Sequence, residues 1–258
     1  MDGPELDAYL ARIGVTHPAR ADAAALRELQ LRHLLAVPFE NLSIHLGEPI
    51  DLEPGALLDK LVRRRRGGFC YELNGAFSEL LSTLGFTVTL LAARAFGNDA
   101  LGPPFDHLAL RVDAGGSGPW LADVGFGRHS SYPLRLDTGA EQTDPGGTFR
   151  IAETADGDLD VLMDGQPQYR VEARPRQLGD FEPTCWWHQT SPRSHFTQSL
   201  VCSLLTETGR VTLSDRTLIQ TAGEQRDERT LRGDAEVLDA YRTWFGIVLD
   251  RVPTSPTP

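Results

Sequence analysis

Apolar residues recur at helical intervals through the first third of the chain and in short β-prone runs after it. Leu6, Tyr9, Leu10 and Ile13 form one stripe, closed by Gly14. Leu26, Leu29 and Leu34 form a second, ended at Val37-Pro38 because the residue before a proline avoids the helix. Residues 38–52 read as an ordered loop with Phe39, Ile44 and Leu46 available for burial. Pro54 suits the first turn of a third helix reaching Arg64. Another stripe starts at Cys70 and continues through Leu73, Ala76, Phe77, Leu80, Leu81 and Leu84, with Gly85 as its C-terminal stop. Beyond Gly85 the rhythm changes. Residues 86–96, 105–113, 119–124, 133–137, 148–154, 159–163 and 169–173 are short segments divided by Gly, Pro, Asp and Ser. Asp156-Gly157 and Asp164-Gly165 are hairpin turns between them. This predicts an antiparallel meander or small barrel. Residues 180–196 read as irregular and aromatic. Residues 200–206, 210–213 and 216–221 read as three more strands. A final helix over 233–245 turns Val237, Leu238, Tyr241, Trp244 and Phe245 inward, and the tail from Pro253 reads as unordered.

The totals narrow the classes of function. With 36 acidic residues against 25 Lys plus Arg among 258, the net charge of −11 argues against a general binder of nucleic acid or anionic membrane. Met1 is followed by Asp2 and Glu5, without the basic start of a signal peptide, and no apolar run reaches membrane-spanning length. Three cysteines, Cys70, Cys185 and Cys202, suit reduced thiols in a cytoplasm better than a disulfide framework. His188 follows Cys185 by three positions, but no second Cys/His pair stands at zinc spacing, so no metal is expected.

The chemistry concentrates at Arg66-Gly67-Gly68-Phe69-Cys70-Tyr71-Glu72-Leu73-Asn74. Two glycines permit a sharp turn and close approach. They place Cys70 in the first turn of a helix, where the dipole and free N–H groups favour a thiolate. Arg66 adds positive potential. A cysteine nucleophile needs a base, and the base an orienting group. Seven histidines compete. His17 lies in a break, His33 on a surface helix and His129 in a loop; His188 reads as part of an aromatic corner, and His45 and His195 stay open. His107 has the best geometry. It precedes the glycine-rich stretch 114–118, and Asp123 follows it. A hairpin centred on Gly115 sets His107 opposite Asp123 on one face, with Cβ atoms about 4.5–5.5 Å apart. Asp106 points to the other face.

These segments resemble the arylamine N-acetyltransferases. Arg66-Gly67-Gly68-Phe69-Cys70-Tyr71-Glu72 is similar to that family's active-site signature. Val37-Pro38-Phe39-Glu40-Asn41-Leu42, Asp123-Val124-Gly125-Phe126-Gly127, Ser191-Pro192-Arg193-Ser194-His195-Phe196 and Trp244-Phe245-Gly246-Ile247 are similar to its other segments. The resemblance implies an α+β fold: an N-terminal helical bundle (1–85) carrying the nucleophile, a central antiparallel β-barrel (86–190) carrying the histidine and aspartate, and a C-terminal α/β lid (191–258). It implies a papain-like Cys-His-Asp core matching Cys70, His107 and Asp123. It also implies acetyl transfer from acetyl-coenzyme A, through an acetyl-cysteine, to an arylamine, arylhydroxylamine or hydrazine in the metabolism of foreign compounds. Asp106 is a carboxylate the family pattern does not require.

Further roles are expected from the residues themselves and, for the two phenylalanines, from that resemblance. The Tyr71 N–H is an oxyanion donor, Phe39 and Phe126 line the acceptor slot, and Gly127 and Arg128 meet the coenzyme. Arg66 and Glu72 form a supporting ion pair. An amide synthase that releases or cyclises a polyketide from a carrier thioester is the alternative, with a cysteine hydrolase or a non-catalytic relic behind it.

Overall fold

The computed structural model describes residues 1–97 and 100–254, so residues 255–258 of the expected unordered tail lie outside the described residues. Five helices fill the first 85 positions: α1 Gly3–Ile13, α2 Ala23–Ala36, α3 Leu42–Leu46, α4 Pro54–Leu58, which runs on as a π-helical turn over Asp59–Arg63, and α5 Cys70–Thr83. The apolar stripes explain α1, α2 and α5. Asp2 caps α1 through the Glu5 N–H, Gly14 ends it in the left-handed conformation, and Asp22 caps α2 through Ala25. Three later helices are α6 Glu182–Thr190, α7 His195–Gln198 and α8 Asp234–Phe245.

The strands are β1 Phe39–Glu40, β2 Thr87–Ala95, β3 His107–Asp113, β4 Pro119–Ala122, β5 Leu134–Arg135, β6 Gln142–Asp144, β7 Gly147–Glu153, β8 Leu159–Met163, β9 Gln166–Arg176, β10 Val201–Leu205, β11 Gly209–Ser214, β12 Thr217–Ala222 and β13 Gln225–Thr230. Eight of them form one antiparallel sheet in the order β5-β4-β3-β2-β9-β8-β7-β6. Its two edges are joined through Gln142, whose amide bonds the N–H and carbonyl of Arg135 at 2.7 and 3.0 Å, so the sheet curls into a nearly closed barrel. Leu91, Leu121, Phe149, Val161, Tyr169 and neighbours fill its interior. The barrel's other face meets the helices through Leu108, Leu110, Val112, Leu73, Phe77 and Leu81. The remaining five strands form a second antiparallel sheet, β1-β10-β11-β12-β13, covered by α8.

The structure departs from the periodicity in several places. Residues 38–52 are loop only from 47 onward: Phe39 and Glu40 pair with Ser203 and Cys202 of β10, and α3 follows. A two-residue strand is too short to leave a period, and its partner lies far along the chain. Residues 182–190 are helical, because the aromatic side chains there pack on one side only, leaving Trp186 66% exposed. Trp244, expected inward, is 38% exposed. His33 is fully buried rather than on a surface, and its Nε2 pairs with the Tyr9 hydroxyl at 3.0 Å. The hairpin ladder pairs Leu110 with Ala122 and Val112 with Trp120, centring the turn on Gly116. That is two residues from the expected register. An even slip keeps every side chain on its face.

Candidate functional site

Cys70 stands at the first position of α5, and Phe69 is the residue before it. The Phe69 N–H donates to Glu72 Oε2 at 3.2 Å, which closes the first turn. Gly67 and Gly68 are required by close approach rather than by left-handed backbone. A Cβ on Gly67 would lie 1.9 Å from the Pro38 carbonyl oxygen, and one on Gly68 would lie 2.7 Å from the Glu72 Cβ. Gly68 and Phe39 form a parallel bridge, and the Glu40 N–H donates to the Gly68 carbonyl at 2.8 Å. The signature loop is thus threaded against β1.

The expected Arg66–Glu72 pair does not form. Arg66 is buried and donates to Glu40 Oε1 at 3.0 Å and Glu48 Oε2 at 3.2 Å. Glu72 instead takes Lys60, whose Nζ lies 2.5 Å from its Oε1. Both acids sit in the interior. Burial raises Glu40, but Lys60, Arg66 and the Leu42 N–H outweigh it and hold its carboxyl below the usual range. For Glu72 burial wins over Lys60, and its carboxyl is raised. With its charge taken up by two carboxylates, Arg66 supplies no free positive potential to the cysteine. Sequence spacing could not reveal this, because Glu40 and Glu48 reach Arg66 only through the packing of β1 and α3.

Cys70 is buried, with its sulfur against the backbone that leads into β3. Its Sγ lies 3.9 Å from the Asp106 carbonyl oxygen, and the Leu108 N–H faces the sulfur. The Tyr71 hydroxyl donates to the Phe105 carbonyl at 2.6 Å, holding the same segment to α5. His107 lies between Asp106 and Leu108, so the start of α5 and the start of β3 meet at Cys70 and His107. Burial pushes the Cys70 thiol well up, and Asp106 and Asp123 push the same way while the Leu108 N–H opposes them. That reverses the expectation from the helix dipole, because desolvation of a charged sulfur outweighs the field of one helix end.

Asp123 lies one residue beyond β4, and its Oδ2 accepts from His107 Nε2 at 2.7 Å. Both side chains are interior. Oδ1 accepts from Asn74 Nδ2 at 2.9 Å and from the Gly125 N–H at 2.8 Å, and the Asp123 N–H donates to Gln30 Oε1 at 3.2 Å. Asn74 also donates to the Leu108 carbonyl at 2.6 Å and accepts from the Val124 N–H at 2.9 Å. Burial raises the Asp123 carboxyl, but the charge and hydrogen bond of His107, with Asn74, hold it far below the usual range. An imidazole oriented by a buried carboxylate, on a segment whose backbone touches a buried thiol, is the set of groups that lets a sulfur act as a nucleophile.

Phe126 stacks edge-on against His107, with ring centroids 5.1 Å apart. Phe39 contacts Phe196 at 6.2 Å and borders Gly127, where a Cβ would lie 4.0 Å from its ring. Phe126 thus borders His107 directly, and Phe39 lies one step away, against Gly127. Gly125 is pressed onto the helix: a Cβ there would lie 2.7 Å from the Cys70 Cα. Gly127 has φ +88°, and its carbonyl accepts from Arg210 at 2.9 Å. Arg128 is exposed beside this loop. Burial and the neighbouring Arg128 lower Arg210 to about 10.

Near the site, Arg210 and Gln30 carry no expectation from the sequence, and His129 is expected only in a loop. Arg210 reaches Gly127 from a different sheet. His129 is buried against Phe126, Phe149 and Tyr169, and burial lowers it to about 4 despite Asp123. Gln30 lies on the inner face of α2; a polar residue within that helix's stripe was the available signal. His45 is spent on the Phe196 and Ser199 carbonyls at 3.0 and 3.1 Å.

The N-acetyltransferase family model matches residues 22–253. An arylamine N-acetyltransferase of Mycolicibacterium smegmatis is 36% identical over 254 residues, covering 95% of this chain and 92% of that protein. A solved M. smegmatis arylamine N-acetyl transferase superposes with a TM-score of 0.88 at 37% identity, covering 96% of this chain and 92% of the other. A Mycobacterium marinum arylamine N-acetyltransferase in complex with CoA superposes with a TM-score of 0.85 at 35% identity, covering 94% of this chain and 92% of the other.

Proposed function

The chain belongs to the arylamine N-acetyltransferase family, and from that premise we propose that Cys70, His107 and Asp123 are the groups that move the acetyl. The reaction is transfer of an acetyl group from acetyl-coenzyme A to the nitrogen of an arylamine. Arylhydroxylamines and hydrazines belong to the same acceptor chemistry, since each presents a nucleophilic atom on a small frame. The observation that carries the assignment is the 2.7 Å bond between buried His107 and Asp123, with Cys70 against the backbone on either side of His107.

The chemistry proceeds in two halves. His107 takes the Cys70 proton, and the sulfur attacks the thioester carbonyl. Burial opposes a free thiolate, so ionisation is coupled to that proton transfer and the imidazolium stays beside the sulfur. Asp123 fixes the imidazole tautomer and stabilises the imidazolium. The Tyr71 N–H, at the second position of α5, has no carbonyl four residues back within the helix and is the donor for the oxyanion. Coenzyme thiolate leaves, taking the proton from His107. In the second half the amine attacks the acetyl-cysteine, His107 accepts its proton, and Cys70 is released.

Phe39 and Phe126 offer apolar faces for an aromatic acceptor. Gly127 leaves room for the donor beside the backbone, and Arg128 and Arg210 supply positive charge for its phosphates. No helix among the described residues is long and apolar enough to cross a membrane, and the reduced thiols suit a cytoplasmic enzyme.

The test is to incubate the protein with acetyl-coenzyme A alone, then take an intact mass and a peptide map. The expected result is one acetyl group on Cys70, discharged by adding an aniline or a hydrazine. A folded protein that takes up no acetyl group would overturn the assignment.

A further inference from the structure

Another buried imidazole, His188, reaches the Cys70 surroundings through Asp106. His188 of α6 has its Nε2 3.2 Å from Asp106 Oδ1, within ion-pair range though off the line of a hydrogen bond. Its Nδ1 meets the Ser194 hydroxyl at 3.0 Å, and Ser194 caps α7 through the Phe196 N–H. His188 and Ser194 are interior, and the Asp106 side chain is only 14% exposed. Aromatic rings enclose the imidazole: Phe196 and Trp187 at 5.0 Å, Tyr71 at 6.1 Å and Phe69 at 6.3 Å. The titratable groups around the pair are Cys70 and Tyr71 on α5 and Cys185 on α6, with the Lys60–Glu72 pair beyond Cys185.

Asp106 bears directly on the nucleophile. Its carbonyl oxygen is the one 3.9 Å from Cys70 Sγ, and that oxygen also accepts from the Tyr71 hydroxyl at 3.2 Å. Its Oδ2 accepts from the Ala95 N–H at 3.2 Å, which anchors it to β2. A carboxylate beside a sulfur that must become negative opposes the reaction, and a cation on its far side offsets that opposition.

We propose that His188 is a positioning residue for Cys70: its imidazole packs on the Asp106 carboxylate, keeps in place the backbone oxygen that faces the sulfur, and turns a ring nitrogen toward the Asp106 charge. The proposal rests on Cys70 being the nucleophile. α6 and α7 then do more than cover the site, because they bring an imidazole to a carboxylate that this chain carries next to His107. Tyr71 senses the same charge, since its hydroxyl bridges Phe105 and Asp106.

Two substitutions make opposite predictions, which a merely structural role would not. His188→Gln removes the group facing Asp106, so iodoacetamide labelling of Cys70, followed by peptide mapping between pH 6 and 10, slows about three- to tenfold at neutral pH and its profile moves to higher pH. Asp106→Asn removes the opposing charge, so labelling speeds by a similar factor and the profile moves to lower pH. The double variant lies between the two. If both single variants slow labelling, or if neither profile moves, the proposal fails. Asp106→Asn alone decides the sign should His188→Gln not fold, with circular dichroism as the check on folding. A parent protein whose Cys70 does not react at all removes the nucleophile, and this role with it. Acetylation of Cys70 by acetyl-coenzyme A separates that failure from a failure of the His188 role alone.

Discussion

His107 and Asp123 are bonded at 2.7 Å although the β-ladder does not pair them. Continuing the register by one residue would set Asp123 against Ala109, so His107 is its diagonal neighbour. The bond forms because Asp123 has left the strand and is held by Asn74, Gly125 and Gln30. Asp123→Asn keeps the shape and removes the charge that selects the tautomer. Transfer is expected to fall about 10³- to 10⁴-fold with the helical and sheet signals of circular dichroism retained. Cys70 alkylation at normal speed would take Asp123 out of the mechanism.

Gly125→Ala tests the packing of the aspartate turn on the nucleophile helix. The new Cβ would lie 2.7 Å from the Cys70 Cα and 2.8 Å from Asn74 Nδ2. Backbone cannot yield as a flexible side chain does, so a loss of about 1–3 kcal/mol is expected in urea unfolding. A larger fall in kcat than in stability would show the displaced cysteine.

Arg66 and Glu40 form a buried pair at 3.0 Å. Arg66→Met leaves the buried Glu40 carboxylate with the Leu42 N–H and the more distant charge of Lys60, at a cost of about 3–5 kcal/mol in chemical denaturation. The double variant with Glu40→Gln is expected to recover most of that. No recovery would mean that Arg66 acts chiefly through Glu48 and Ser43.

Buried histidines set the response to mild acid. Burial lowers His33 to about 3 and His129 to about 4, well under the usual value near 6.5. Each is neutral in the folded chain and takes up a proton on unfolding, so its stabilisation is complete above about pH 6.5 and is lost as the pH falls toward the folded value. Urea unfolding between pH 6.5 and 4.5 is expected to weaken by up to about 1.4 kcal/mol per pH unit for each. His33→Gln should remove one such contribution. Asp123 and Glu40, held low, add their own loss only below about pH 4, where the unfolded carboxylates begin to protonate.

Arg128→Gln separates donor recognition from chemistry. Arg128 is exposed beside Gly127 and strengthens the positive field at Arg210. The KM for acetyl-coenzyme A is expected to rise about two- to fivefold, the size of an exposed ion pair, and to shrink with added salt. The KM for p-nitrophenyl acetate, which has no phosphate, should not move. Equal changes for both donors would place Arg128 elsewhere in the mechanism.

Much of this site was legible from short range. Cys70 at a helix start follows from a glycine pair and a stripe of period 3.6, both local. His107 and Asp123 on one face follow from alternation, which survived a register error of two because faces repeat every second residue. The partners of Arg66 and Glu72 were not legible. Six residues apart, they invited pairing, yet each points away from the other to acids and bases brought in by β1, α3 and the π-helical turn before the signature loop. From the sequence, His188 reads as part of an aromatic corner. The aromatic surroundings are there, but its charge partner, Asp106, lies 82 positions earlier and no period connects them.

By itself the chain's order of residues determined which side chains could share a helix start, a strand face or a turn, because those depend on backbone repeats of a few residues. It also determined the class of chemistry, because a thiol, an imidazole and a carboxylate have few joint uses. Only the tertiary structure decided the charge balance around the sulfur. Desolvation, the loss of Arg66 to Glu40 and Glu48, and the Asp106–His188 contact all arise where distant segments meet, and electrostatic energy depends on those distances and on excluded water rather than on sequence separation.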